Sequence, residues 1–230
     1  MAGDDAARKH IGTWNKWHEA YEDTESELVQ RMLAVRRQVD AVVTEAAPGP
    51  VTVVSICGGQ GRELIGALED HPRRADVRGR LVELDSDNAA FAREWAASAG
   101  LDALEVVNGD ASVSDAYAGL TPVDLVVISG VFGHVDDDDK RQLVVFLRQL
   151  CAPGASLVWT SHRTNDGPAD KVRAMLADES FEEVAFEDLP GEEFAFTVAR
   201  HRYLGETAPF VARERIFTFG SRRGEPKLPA

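Results

Sequence analysis

The chain has 230 residues, of which 44% are apolar and 28% charged, enough for one large globular domain with a substantial core. Its 39 acidic against 25 basic residues leave a net charge of −14, a surface that repels nucleic-acid phosphates and anionic membranes and argues against both as partners. No apolar run reaches the roughly 18 residues that cross a bilayer, Met1-Ala2-Gly3-Asp4-Asp5 is unlike a signal peptide, and Cys57 and Cys151 alone make no disulfide framework, so a cytoplasmic protein is expected.

In chain order, residues 1–12 read as a frayed start, and the stretch from Trp14 to about Ala46 as helical, with Leu28, Met32, Val35, Val39 and Val42 three or four apart. Pro48-Gly49-Pro50 ends it. Strands then alternate with helices: strand 51–56, helix 61–70, strand 79–84, helix 87–99, strand 103–107, a short helix near 112–118, strand 123–129, helix 137–150 and strand 155–161. Near-continuous apolar runs such as Leu125-Val126-Val127-Ile128 predict a parallel sheet covered on both faces, an α/β fold. The last part differs. A helix at 168–178 precedes two alternating segments, 181–187 and 194–203, whose connection is too short for a parallel crossover, so they are expected to pair antiparallel. Ile216-Phe217-Thr218-Phe219 reads as a last strand, and no linker or repeat divides the chain.

Two stretches point to a ligand. Val51-Thr52-Val53-Val54-Ser55-Ile56 runs into Cys57-Gly58-Gly59-Gln60-Gly61, where glycines let backbone N–H groups approach a nucleotide-like molecule. About 20 residues on, the strand Arg80-Leu81-Val82-Glu83-Leu84-Asp85 ends in acid, and a carboxylate there can accept both hydroxyls of a ribose.

Over residues 13 to 204 the chain resembles the class I S-adenosylmethionine-dependent methyltransferases. The resemblance implies a Rossmann-like seven-stranded, mostly parallel sheet with helices on both faces, an antiparallel C-terminal hairpin and an N-terminal helical extension. On that basis residues 48–204 would form the core, 1–47 a lid or extension and 205–230 a tail of a single domain. The cofactor would be S-adenosylmethionine, with S-adenosylhomocysteine as product. In the family's first loop, with its acid and three alternate glycines, Gly59 and Gly61 match the last two; Ser55 replaces the acid and Cys57 the first glycine, with Gly58 beside it. Glu83, followed by Leu84, matches the ribose acid, and Asp110 in Asn108-Gly109-Asp110-Ala111 the acid that accepts from the adenine amino group. Ala111 would add a backbone amide, and Ser129, Gly130 and Val131 would flank the cofactor after the fourth strand. Gly109-Asp110 can equally be a turn and helix N-cap.

An NAD(P)-dependent oxidoreductase has similar loop chemistry. It is disfavoured because Gly59 and Gly61 are followed by Leu64 rather than a third glycine, and because the chain ends in a hairpin, not a second parallel half. A non-catalytic S-adenosylmethionine-binding protein stays open as a third reading.

Methyl transfer needs an acceptor placed in line and, for some acceptors, a base. Val131-Phe132-Gly133-His134-Val135 and Thr160-Ser161-His162-Arg163 follow the fourth and fifth strands. His134 and His162 are the catalytic candidates, His134 foremost as a general base. Phe132 and Arg163 are candidates for the substrate pocket, as are Trp17, His18 and Tyr21, which with Trp14 form an aromatic stripe at helical spacing that either packs on the sheet or covers the site. Asp136-Asp137-Asp138-Asp139 reads as a helix start rather than a metal site, and no metal is expected. His201 lies on the last predicted hairpin strand, in core or pocket. The acceptor, an O or N atom of a small molecule, and the oligomeric state stay open.

Overall fold

The computed structural model describes residues 26–162, 167–191 and 195–220. Helix α1 (Glu27–Glu45) begins at Ser26, whose side chain accepts the Val29 N–H at 3.3 Å, and buries Leu28, Met32, Val35, Val39 and Val42 along one stripe. Of the helix expected from Trp14 to about Ala46, residues 14–25 lie outside the described residues, and α1 accounts for the rest. At the other end the Arg73 guanidinium donates to the carbonyls of Val43 and Ala46, acceptors that a helix end leaves open, and to those of Ala47 and Gly49 just beyond it.

Strands β1 (Val51–Ile56), β2 (Val77–Glu83), β3 (Leu104–Asn108), β4 (Val123–Ile128), β5 (Cys151–His162), β6 (Phe181–Leu189) and β7 (Phe196–Tyr203) form one sheet in the order β3-β2-β1-β4-β5-β7-β6. The first five are parallel; β7 lies antiparallel between β5 and β6. This is the Rossmann-like sheet and antiparallel hairpin expected. On one face α1 packs with α2 (Ile65–Leu68) and α3 (Ser86–Ser98); on the other lie α4 (Asp137–Leu150) and α5 (Pro168–Asp178). All six residues of β1 are buried, as a central strand covered on both sides requires. Strand order reverses between β1 and β4, and open sheets of this kind bind ligands outside the carboxyl ends of their strands at such a point.

Three expectations are corrected. The helix expected over 61–70 is reduced to Ile65–Leu68, because Gly59 and Gly61 hold positive φ of 55° and 79° and the chain turns through 64 before it can wind. The short helix near 112–118 is a single 3₁₀ turn, Ser114–Tyr117. Residues 216–219 are no strand. Ile216 and Phe217 are both buried, in neighbouring positions that a half-buried strand would send to opposite faces, and among the described residues the only ladder contact beside them is an isolated bridge between Val113 and Arg215. Instead, residues 204–220 form a strap: Thr207 Oγ1 and Ala208 N–H donate to the Cys151 and Arg148 carbonyls, the Glu214 carbonyl accepts the Ser114 N–H, Ile216 N–H donates to the Ser112 carbonyl, and Gly220 N–H reaches the His134 carbonyl.

Candidate active site

The loop between β1 and α2 begins at Cys57, whose φ of 52° lies in the left-handed region that glycine adopts most easily. The residue in the place of the missing glycine thus takes a glycine's backbone. Gly58 supplies the freedom of space: a Cβ there would lie 2.4 Å from Leu81 Cγ. Its N–H donates to the Val82 carbonyl at 3.0 Å, tying the loop to β2. Burial pushes the Cys57 thiol well above its ordinary range, and Glu83 and Asp110 push it the same way, which favours the protonated form.

Glu83 ends β2 directly against this loop. Its Oε2 accepts the Gly59 N–H at 2.8 Å and its Oε1 the Asp85 N–H at 2.9 Å. Burial raises its pKa, while the N–H groups of Asp85 and Gly59 oppose the rise by favouring the charged form. A carboxylate has about four acceptor positions, so these donors do not exhaust it for a diol. Leu84, which follows, is 57% exposed, an apolar side chain held out beside the acid. Asn108 fixes this corner by donating to the Glu83 and Leu84 carbonyls.

Beyond β3, Asp110 accepts from Ser112 N–H at 2.8 Å and Ser112 Oγ at 2.5 Å. The turn reading and the ligand reading of this acid are compatible, since only Oδ1 is used in the turn. Ala111 is buried, its carbonyl accepting the Tyr117 hydroxyl at 2.6 Å. Beyond β4, Ser129 Oγ donates to Glu63 Oε1 at 3.0 Å, and Arg31 pairs with the same oxygen at 3.2 Å. The Arg31 guanidinium also lies 5.2 Å from the Phe196 ring centre. Gly130, with φ of 74°, donates its N–H to Thr160 Oγ1 at 2.9 Å, and Val131 is fully buried. Cys57, Gly58, Gly59, Gly61, Glu83, Leu84, Asp110, Ala111, Ser129, Gly130 and Val131 are thus brought to one edge of the sheet, at the ends of β1 to β4.

His134 and His162 also meet: their rings are 5.5 Å apart and nearly perpendicular. Phe219 of the strap stacks on His134 at 5.3 Å and 20°, and Phe196 lies 5.1 Å from His162. Gly133 makes room for this, since a Cβ there would stand 2.4 Å from His162 Cδ2. Phe132 is wholly buried in the core, edge-on to Trp159 at 5.5 Å. Trp17, His18, Tyr21 and Arg163 lie outside the described residues. Asp136 caps α4 by accepting from Asp138 and Asp139 N–H, and Asp137 binds Lys140 and Lys171, so these acids have structural work. His201 is core. It faces the Trp159 indole N–H at 3.2 Å, and burial lowers its pKa to about 4.

Arg31, Glu63, Arg215 and Phe219 were missed as site residues. Arg31 carried a readable signal: it falls three positions after Leu28 and four before Val35, a charge on the stripe that α1 buries. Glu63 and Arg215 carried none, because only the topology brings 63 to 129 and 215 to 110.

The chain matches a family model described as "Putative methyltransferase" over residues 27–165. A search of curated proteins finds no match. Among solved structures it is similar to a "putative class I S-adenosylmethionine-dependent methyltransferase" from Listeria monocytogenes (14% identity, TM-score 0.57), covering 77% of this chain but only 61% of that one. It is similar to the magnesium protoporphyrin IX methyltransferase of Synechocystis PCC 6803 with bound S-adenosylmethionine (16% identity, TM-score 0.60, 83% and 91% of the two chains). It is also similar to the 4+2 cyclase SpnF (14% identity, TM-score 0.54, 73% and 80%). One of these fold neighbours is a cyclase, so the fold by itself leaves the reaction open; the family model is what assigns the class. The match spans more than half of the sequence, and the chain belongs to this methyltransferase family.

Proposed function

We propose that the chain is a cytoplasmic, S-adenosylmethionine-dependent methyltransferase acting on an O or N atom of a small molecule. The observation that carries this reading is the join of Glu83 to the glycine loop through the Gly59 N–H, with Asp110 and Ser129-Gly130 on the same sheet edge. The residues suit the cofactor. A left-handed Cys57 and a Gly58 without room for a Cβ keep the loop backbone close and bare, and Glu83 retains acceptor capacity for the ribose hydroxyls. Leu84 offers apolar surface to the base, and Asp110 Oδ2 with the Ala111 N–H offers an acceptor and a donor to its edge.

When bound, S-adenosylmethionine supplies an electrophilic methyl group on a sulfonium. The protein's part is to bind the acceptor at the ends of β4 and β5, to exclude water, and to take up the acceptor's proton. His134 Nδ1 or Nε2 is the base in this reading, with His162 beside it orienting the ring and Phe219 covering its face. Residues 48–204 form the methyltransferase core in this reading, 1–47 an extension that covers the site and 205–230 a tail. Free thiols at Cys57 and Cys151 and the acidic surface support a reducing, cytoplasmic setting.

The test is to incubate the protein with S-adenosylmethionine and pooled small molecules carrying hydroxyl, amine or carboxyl groups, reading S-adenosylhomocysteine formation and a product heavier by one methylene. With an acceptor in hand, His134→Gln should lower kcat by roughly 10²- to 10⁴-fold and leave S-adenosylhomocysteine affinity within about twofold. Unchanged kcat would remove His134 as the base.

A further inference from the structure

The strap does more than cover apolar surface. Arg215 sits where it crosses the turn after β3, and its backbone is held from both sides: Glu214 N–H donates to Ser114 Oγ at 2.9 Å, Ser114 N–H to the Glu214 carbonyl at 2.9 Å, and Ile216 N–H to the Ser112 carbonyl at 2.8 Å. Arg213 N–H adds a bond to Asp115 Oδ1 at 2.8 Å, and the buried side chains of Ile216 and Phe217 fix the segment to the core. None of these anchors uses the Arg215 side chain. That side chain reaches back to the cofactor edge, where its Nη1 donates to Ser112 Oγ at 2.6 Å and lies 3.3 Å from Asp110 Oδ2.

The polarity of this triad is determined. Arginine only donates, so Ser112 Oγ accepts from Arg215 and must turn its own proton to Asp110 Oδ1, 2.5 Å away. Oδ1 then holds two donors from Ser112, its N–H and its hydroxyl, while Oδ2 faces the guanidinium with acceptor capacity left over. The carboxylate is close to half exposed, with 44% of its side chain accessible, and without these donors it would be free to turn about its Cα–Cβ bond into water.

We propose that Arg215 is a positioning residue for base recognition: with Ser112 it holds Asp110 in the orientation that reads the exocyclic amino group of the cofactor's adenine. This rests on Asp110 being the adenine acceptor. A site built around a fixed acceptor discriminates against a ligand that lacks the donor, whereas a carboxylate that can swing away accommodates it at small cost. Arg215 therefore sets selectivity for adenine rather than the strength of strap packing.

The experiment is calorimetric titration with S-adenosylhomocysteine and with its deaminated analogue S-inosylhomocysteine, in which an oxo group replaces the amino group. Wild type should prefer the amino compound by about tenfold or more. Asp110→Ala should abolish the preference; if it persists, Asp110 does not read the base and both the reading and the proposal fall. Given that loss, Arg215→Ala should reduce the preference by roughly three- to tenfold, chiefly by weakening the amino compound, with the melting temperature moved by only a few degrees. Ser112→Ala, which leaves the strap's backbone bonds in place, should act in the same direction and serves if Arg215→Ala folds poorly. If Asp110→Ala abolishes the preference while Arg215→Ala and Ser112→Ala weaken both nucleosides equally or neither, Asp110 stands as the reader and the positioning role of Arg215 is refuted.

Discussion

Gly58 offers a direct test of how the cofactor loop is held. A Cβ built on it would lie 2.4, 2.8 and 2.9 Å from Cγ, Cδ2 and Cδ1 of Leu81, where carbon atoms pack comfortably at about 3.5–4.0 Å. Relief would need a shift of about 1 Å. Neither side can give cheaply: Leu81 is fully buried under the face that α1 and α3 cover, and the Gly58 N–H is bonded to the Val82 carbonyl at 3.0 Å. Overpacking of this kind costs about 1–3 kcal/mol, so Gly58→Ala should lower the melting temperature by roughly 2–12 °C in a chain of this size. It should also weaken S-adenosylhomocysteine binding, because Gly59, the next residue, carries the N–H that Glu83 accepts. Leu81→Ala alone should cost about 2–5 kcal/mol as a cavity, but in the Gly58→Ala background it also removes the clashing atoms. A double-mutant cycle read by urea denaturation should therefore be subadditive by roughly 1 kcal/mol or more. A Gly58→Ala protein as stable as wild type, or strictly additive costs, would refute the steric account of the loop.

His201 and Asp137 give two pH tests, each a loss of stability on acidification but in a different pH window. Burial lowers the His201 pKa from 6.5 to about 4, with Glu183 opposing and Arg173 assisting, so the native state keeps a neutral ring while the unfolded chain takes up a proton. Stability unaffected above pH 6.5 should fall as the pH drops from 6.5 toward 4, by at most about 3 kcal/mol; His201→Gln, which can still accept from the Trp159 indole, should flatten that slope in pH-dependent urea melts. The Asp137 carboxyl is lowered from 3.8 to about 2 by its bonds to Lys140 and then Lys171. Its contribution is present above pH 4 and lost as the pH falls through 2. With 48% of its side chain exposed, that contribution is screened to less than about 1 kcal/mol, so Asp137→Asn should differ from wild type at pH 6 in low salt and converge with it in 1 M salt or near pH 2.

Much of the fold was legible because local and global signals agreed. Strand 51–56, helix 137–150 and helix 168–178 fall where their patterns place them, the last two fixed by Asp136 as N-cap and by Pro168 in the first helical turn. The glycine loop shows why its neighbour is shorter than its pattern predicts. Leu64, Ile65 and Leu68 have helical spacing, but the turns that Gly59 and Gly61 require consume the residues in which a helix would have started. Ile216-Phe217-Thr218-Phe219 failed differently. Its apolar residues serve two masters, Ile216 and Phe217 in the core and Phe219 on His134, so period and burial part company. In the site, the acids and glycines stand out in the sequence because they sit at strand ends, whereas Glu63 lies 32 positions from Arg31 and Arg215 lies 105 from Asp110, and of these four only Arg31, a charge on a buried stripe, and Asp110, at a strand end, have a local trace.

The most direct test of the central claim is calorimetric titration of the purified protein with S-adenosylmethionine, S-adenosylhomocysteine and NAD, beside the same titrations of Glu83→Ala. Micromolar binding of both sulfur nucleosides, lost in the variant and absent for NAD, is the predicted result. Binding of NAD alone, or sulfur-nucleoside affinity untouched by the loss of Glu83, would contradict the account.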